Sequence, residues 1–167
     1  MRNVVLARVD DRLIHGEVVT AWTPTMRGNR IMIVDDEVVQ DTFNVRVVKA
    51  LAPVGTKVIV YSVEKAAEKL MVPGVEDERI IILAKTPITF NRLVKAGVPL
   101  KEVNLGGAGI RGERKPFINN VALSPDEVIA CEELKNAGVR VYYQLVPEQS
   151  VVEIDGALKK AKENFGL

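Results

Sequence analysis

The sequence predicts an α/β fold: a mainly parallel central sheet of about six or seven strands with helices on both faces, the whole of residues 1–167 forming one domain. Three observations predict it. Short runs rich in Val and Ile alternate with longer segments of helical period along the whole chain. Several of those runs are apolar almost throughout, as strands buried on both faces are. Strand, helix, strand in repeated order also calls for right-handed crossovers, which make the pairing parallel.

Strands are expected at about Val4 to Val9, Arg30 to Val34, Val58 to Tyr61, Ile80 to Ala84, Glu102 to Leu105 and Val139 to Gln144. A short strand near Asn120 to Leu123 could add an edge, with its direction left open. Between strands, Val39, Phe43, Val47 and Leu51 recur every fourth residue before Pro53, and Ile154, Leu158, Ala161 and Phe165 form a similar stripe; both read as core-facing helix seams. Ser124 with Glu127 and Ser150 with Glu153 match the S-x-x-E capping box, and Pro125 and Pro87 suit first helical positions. Gly97 and Gly138 suit helix stops, and Pro24 should end or kink the first helix. Trp22, Met26 and Cys131 sit at apolar helix positions and read as packing.

Composition narrows the function classes. With 47% hydrophobic and 27% charged residues the chain has the make-up of a globular protein, not a disordered one. Twenty-three Lys plus Arg against 22 Asp plus Glu leaves a formal charge of +1, without the basic surplus of a protein that holds nucleic acid through its phosphates. The longest apolar runs, such as Ile31 to Val34 and Ile80 to Ala84, fall far short of the roughly 20 residues of a bilayer-spanning helix. Val4 to Ala7 is followed at once by Arg8, Asp10, Asp11 and Arg12, which is no secretory signal, so a cytoplasmic protein is expected. One cysteine excludes an internal disulfide and a cysteine-rich metal site.

In open parallel sheets, ligands bind beyond the carboxyl ends of the strands, where loops lead into helix N-termini. The first such loop gathers Arg8, Asp10, Asp11, Arg12, His15 and Glu17, just ahead of an apolar helix with Val18, Val19, Ala21 and Trp22. His15 is the only histidine, and its ring can offer a neutral nitrogen at cellular pH. A phosphoryl group on it could be met by first-turn amides and by Arg12, while Asp10 or Asp11 held the ring tautomer. Gly16 would permit close approach of an anion. The residues alone leave open the plainer reading, a solvated histidine among turn-forming neighbours. A second loop, Asn104 to Gly112, could close over the same site through Gly106, Gly107 and Arg111, although it matches neither of the nucleotide-binding glycine motifs. Asp35 and Asp36 could join Asp10 and Asp11 around a hard cation, as in a phospho-aspartate receiver. Such a receiver wants an acceptor Asp after the third strand, where Tyr61 and Ser62 stand, so helix capping by Asp36 is the preferred reading and no metal is expected.

Arg8-Val9-Asp10-Asp11-Arg12-Leu13-Ile14-His15-Gly16, with Trp22, resembles the active-site signature of the IIB component of the mannose/fructose/sorbose class of the bacterial sugar phosphotransferase system. The likeness continues through Val34 to Val38, Ala52 to Gly55, Val103 to Gly107, Asn119-Asn120 and Val146-Pro147. It implies a phosphocarrier: His15 takes a phosphoryl group on Nδ1 from the phosphohistidine of a IIA component. It then passes the group to a sugar held by the membrane components IIC and IID, Arg12 helping to hold it, with no nucleotide, metal or other cofactor. Arg8, Asp10 and Asp11 would orient the loop, and Gly106, Gly107 and Arg111 would flank the site. The protein would be cytoplasmic and associate peripherally with the transport complex, and it could also associate with copies of itself. Glu17 departs from the family's usual Gln, and Leu105 and Ala108 from the commoner Val and Met. The resemblance names no sugar. From another class, the same loops would serve a regulatory module that binds an anion or a phosphorylated partner without carrying the group.

Overall fold

A computed structural model describes residues 2–16 and 18–167, with the side chain of Val19 left aside. The strands are β1 (Val4–Asp10), β2 (Arg30–Val34), β3 (Lys57–Tyr61), β4 (Ile80–Ala84), β5 (Glu102–Gly107), β6 (Lys115–Ile118), β7 (Val121–Leu123), β8 (Arg140–Tyr143) and β9 (Val152–Glu153). The helices are α1 (Thr23–Met26), α2 (Thr42–Ala50), α3 (Val63–Met71), α4 (Pro87–Lys95), α5 (Pro125–Asn136) and α6 (Asp155–Phe165).

Seven strands form one sheet in the order β3-β2-β4-β1-β5-β8-β9, parallel except for β9, which runs antiparallel to β8. The parallel α/β expectation holds, and the reason is visible in the strand residues. Met32, Val34, Ile80, Ile82 and Ala84 face one buried layer and Ile31, Ile33, Ile81 and Leu83 the other, so each strand is apolar on both sides. The larger layer is closed by Val63, Ala66 and Leu70 of α3, Phe90 and Leu93 of α4, Val128, Cys131 and Leu134 of α5 and Leu158 of α6. The smaller one is closed by Leu13, Ile14, Val18, Trp22 and Val38.

The helix ends follow their chemical markers at several points. Ser124 and Glu127 form a reciprocal capping box at α5, with Pro125 inside its first turn, and Pro87 opens α4. Gly97 and Gly138 take φ of +100° and +85° just past α4 and α5, where a side chain would be strained. The Ile154–Phe165 stripe does face the core.

Four expectations are corrected. Of the Val39–Phe43–Val47–Leu51 stripe, Val39 packs on the core ahead of α2, but within the helix, which starts at Thr42, the stripe faces outward: Phe43 is 68% exposed, Val47 and Leu51 are exposed as well, and the residues of α2 that lean on the core are Val45 and Val48. Both faces of this helix carry apolar residues, so spacing alone could not choose between them. Ser150 and Glu153 form no capping box, because Val152–Glu153 pairs as β9 on Tyr142 and Tyr143 and α6 starts only at Asp155. The segment near Asn120 does not extend the sheet. It is β7, antiparallel to β6, touching the sheet through a single parallel bridge from Val121 to Ala108. Pro116 hid β6, since proline demotes a strand reading. Pro24 ends nothing abruptly: a π-helical turn over Val18–Trp22 passes into α1, with Pro24 in its first turn where no amide is needed.

β1 and β5 lie side by side, yet the chain leaves β1 toward β2 and leaves β5 toward β8, in opposite directions. Such a switch point opens a crevice at the carboxyl ends of the strands, and the histidine loop and the glycine loop begin there.

Candidate functional site

Asp10 ends β1 and pairs with Gly107 after a register irregularity at Val9, so the strand is turned where the loop begins. Four donors converge on its buried carboxylate. Oδ2 receives the His15 ring nitrogen Nε2 at 2.8 Å and Nη2 of Arg8 at 3.3 Å. Oδ1 receives the Arg12 amide at 3.2 Å and the Arg12 Nε at 3.4 Å. Burial by itself would raise the Asp10 pKa, but the bond from His15, the nearby Arg8 and the Arg12 amide outweigh it and hold the carboxyl below its ordinary value. An ionised Asp10 can only accept, so the His15 Nε2 carries the hydrogen, and in the neutral form of the ring Nδ1 is then the nitrogen with the lone pair.

The turn that delivers His15 is anchored by apolar burial. The Leu13 amide donates to the Asp10 carbonyl, and Leu13 takes φ of +59°, a left-handed conformation unusual for a branched residue. Its side chain and that of Ile14 are buried in the smaller core layer, which holds the turn in this shape. The His15 side chain is 14% exposed and that of Arg12 is 52% exposed. Gly16 is exposed, and a Cβ there would meet nothing within 4 Å. The expectation about Glu17 lies outside the described residues.

Arg8 is a strand residue, fully buried, and not part of the loop surface. Its guanidinium donates to Asn104 Oδ1 at 2.7 Å and to the carbonyls of Gln144 and Leu145, each at 3.1 Å, besides Asp10. The Trp22 ring lies 5.1 Å away over its charge, while the indole N–H donates to the same Leu145 carbonyl. Trp22 is therefore buried as expected, but it also covers the cation that supports Asp10. Gly106 is glycine for a reason the sequence does not suggest: a Cβ there would lie 2.1 Å from the Arg8 Cζ. Gly107 backs the Asp10 carboxylate, 3.4 Å from where a Cβ would be.

Asp11 turns to the second loop. Its Oδ2 accepts from the Gly109 amide at 2.9 Å, from Arg111 at 3.2 Å and from Arg114 at 3.2 Å. Arg114, which sequence reasoning passed over, also grips Glu127 with two bonds, at 2.8 and 2.9 Å. Only an arginine close after the glycine loop hinted at it. Arg12, Asp11, Gly107, Gly109, Arg111, Asn119 and Asn120 border an open cleft of about 780 Å³ beside the histidine loop. Asp35 and Asp36 stay away from Asp10 and Asp11: Asp35 accepts from the Glu37 and Val38 amides, and Asp36 caps Val63 of α3 and pairs with Arg92. Asp36 is a capping residue as expected, for a helix further along the chain.

Sheet order, crevice and the histidine turn with its charged neighbours define an α/β protein whose candidate site lies at the switch point of a parallel sheet. The family model for the sorbose-subfamily IIB component of the phosphotransferase system matches residues 4–165, and the chain belongs to that family. It is 36% identical over 163 residues to the sorbose-specific EIIB component of Lacticaseibacillus casei, covering 98% of each chain. It is 33% identical over 150 residues to the fructose-specific EIIB component of Bacillus subtilis strain 168, covering 90% of this chain and 92% of that one. The crystal structure of the IIBSor domain of the sorbose permease from Klebsiella pneumoniae superposes with a TM-score of 0.89 at 33% identity, over 95% of this chain and 98% of that domain. Membership makes it a phosphotransferase-system component for sugar uptake. No helix among the described residues is long and apolar enough to cross a membrane.

Proposed function

We propose that this chain is a phosphocarrier in which His15 Nδ1 takes a phosphoryl group from the phosphohistidine of a IIA component and hands it to a sugar held by membrane components IIC and IID. The observation that carries the proposal is the 2.8 Å contact between His15 Nε2 and the buried Asp10, because it commits the proton to one nitrogen and leaves the other as nucleophile. In the first step the Nδ1 lone pair forms the new N–P bond while the donor's N–P bond breaks and its electron pair returns to the donor ring. The phosphorylated His15 ring gains positive charge, which the Asp10 carboxylate balances. In the second step a sugar hydroxyl oxygen forms the O–P bond, its proton leaves to solvent, and the pair returns to Nδ1. The neutral Nε2–H ring is restored.

Arg12 is assigned to the phosphoryl oxygens: its backbone is fixed on Asp10 while half of its side chain is exposed beside the cleft. Arg8 and Asp10 act behind the ring as a buried charge pair that fixes its tautomer and direction. Asp11, Gly107 and Arg111 form the facing wall. Nothing in this scheme calls for a nucleotide or a metal, since positioning and charge neutralisation do most of the work in phosphoryl transfer. The sugar's identity belongs to the chains that bind it.

Incubation with phosphoenolpyruvate, the general phosphotransferase proteins and a cognate IIA component should leave acid-labile phosphate on the wild type and none on His15→Gln. Label on both proteins, or on neither, would overturn the carrier reading.

A further inference from the structure

Asp11 is served by two guanidinium groups in very different circumstances. The Arg114 side chain is 11% exposed and locked by its paired bonds to Glu127, whose own carboxylate is fixed by the Ser124 amide at 3.0 Å. It also donates to the Gly109 carbonyl at 3.2 Å, so it ties the glycine loop, the histidine loop and the start of α5 together. Arg111 reaches the same Asp11 oxygen at the same 3.2 Å, but its side chain is 70% exposed and it lines the cleft that Arg12 also lines. The Asp11 side chain itself is only 8% exposed.

A carboxylate this enclosed cannot be left without a counter-ion at small cost. With Arg114 in place it always keeps one, and keeps the Gly109 amide as well, so the departure of Arg111 strands no charge. We propose that Arg111 is a mobile cation that leaves Asp11 for the phosphoryl group arriving at His15, and that Arg114 is a positioning residue, the resident counter-ion that makes this departure possible. The proposal rests on the carrier reading above and adds a regulation of the same site. Without Arg114, Asp11 would have to hold Arg111, and the incoming dianion would meet a pinned cation beside a carboxylate instead of a released one.

The test is the rate of phosphoryl transfer from a phosphorylated IIA component to four proteins: wild type, Arg111→Ala, Arg114→Gln and the double variant Asp11→Asn/Arg114→Gln. Arg111→Ala and Arg114→Gln should each be slower by about tenfold or more, the effect of losing one aimed donor at a charged transition state. The double variant should be several-fold faster than Arg114→Gln, because the neutral amide that replaces the Asp11 carboxylate still accepts from the Gly109 N–H but no longer binds Arg111 by charge. A merely structural role for Arg114 predicts the reverse, since a second lesion in the same cluster adds damage. A double variant no faster than Arg114→Gln would overturn the inference. Wild-type protein supplies a second reading that does not depend on variants folding: on phosphorylation of His15 the Arg111 side-chain Nε–H resonance should shift and that of Arg114 should stay. An Arg114 shift with Arg111 unmoved would overturn it too. Failure of the wild type to take phosphate at all would instead defeat the carrier reading, so the two failures are distinguishable.

Discussion

Replacing Gly106 by alanine tests the buried charge pair behind His15. The added Cβ would stand 2.1, 2.3 and 2.5 Å from Cζ, Nη2 and Nη1 of Arg8, well inside any tolerated contact. The guanidinium cannot stay, and of its four partners Asn104 and Asp10 are fully buried and the carbonyls of Gln144 and Leu145 partly so. Losing two of those charge-assisted bonds at about 1.5–3 kcal/mol each, with a buried carboxylate left short of its cation, gives a loss of about 3–6 kcal/mol. For a chain of this size that lowers Tm by roughly 6–24 °C. Urea unfolding followed by circular dichroism and by Trp22 fluorescence measures it, and the indole additionally reports the loss of its stacked cation. Gly109→Ala is the control, because its Cβ would meet nothing nearer than 3.7 Å and should cost under about 1 kcal/mol. If Gly106→Ala were as mild as Gly109→Ala, the placement of Arg8 against the glycine loop would be wrong.

Glu127 offers a pH test: burial pushes its carboxyl up, but Arg114 and the Ser124 amide pull it further down, so its folded pKa lies below the ordinary 4.5. Its contribution to stability is therefore complete above about pH 4.5 and is lost as pH falls through the folded value. Glu127→Gln should cost about 3 kcal/mol at pH 7 and progressively less in acid; a gap that stayed constant with pH would refute the assignment. The reversed face of α2 is tested by Phe43→Ser, expected within about 0.5 kcal/mol of wild type, against Leu158→Ala, expected to cost about 2–5 kcal/mol. A loss above about 2 kcal/mol at Phe43 would show that this face is covered in solution.

Local signals were legible because they act over a few residues. Ser124-Pro125-x-Glu127 caps its own helix, Gly97 and Gly138 stop theirs, and the runs Ile31 to Val34 and Ile80 to Ala84 pair as buried strands. The same kind of signal misled where a later segment intervened: Glu153 was claimed by strand pairing to Tyr142 before it could cap a helix. Nor did spacing reveal that α2 turns Val45 and Val48 inward and Phe43 outward, since either choice buries apolar surface.

From its residues alone this chain settled its layered architecture and, through the Arg8–Gly16 motif, its family. What the tertiary structure decided is the division of labour among the charges. Arg8, two positions from Asp10 and grouped in the sequence with the charges that orient the loop, is a core cation that Trp22 covers and that Gly106 accommodates from far along the chain. Arg114 meets Asp11 across 103 positions. Periodicity and capping are set by neighbours in sequence, whereas the state of a buried charge depends on every group that folding brings against it.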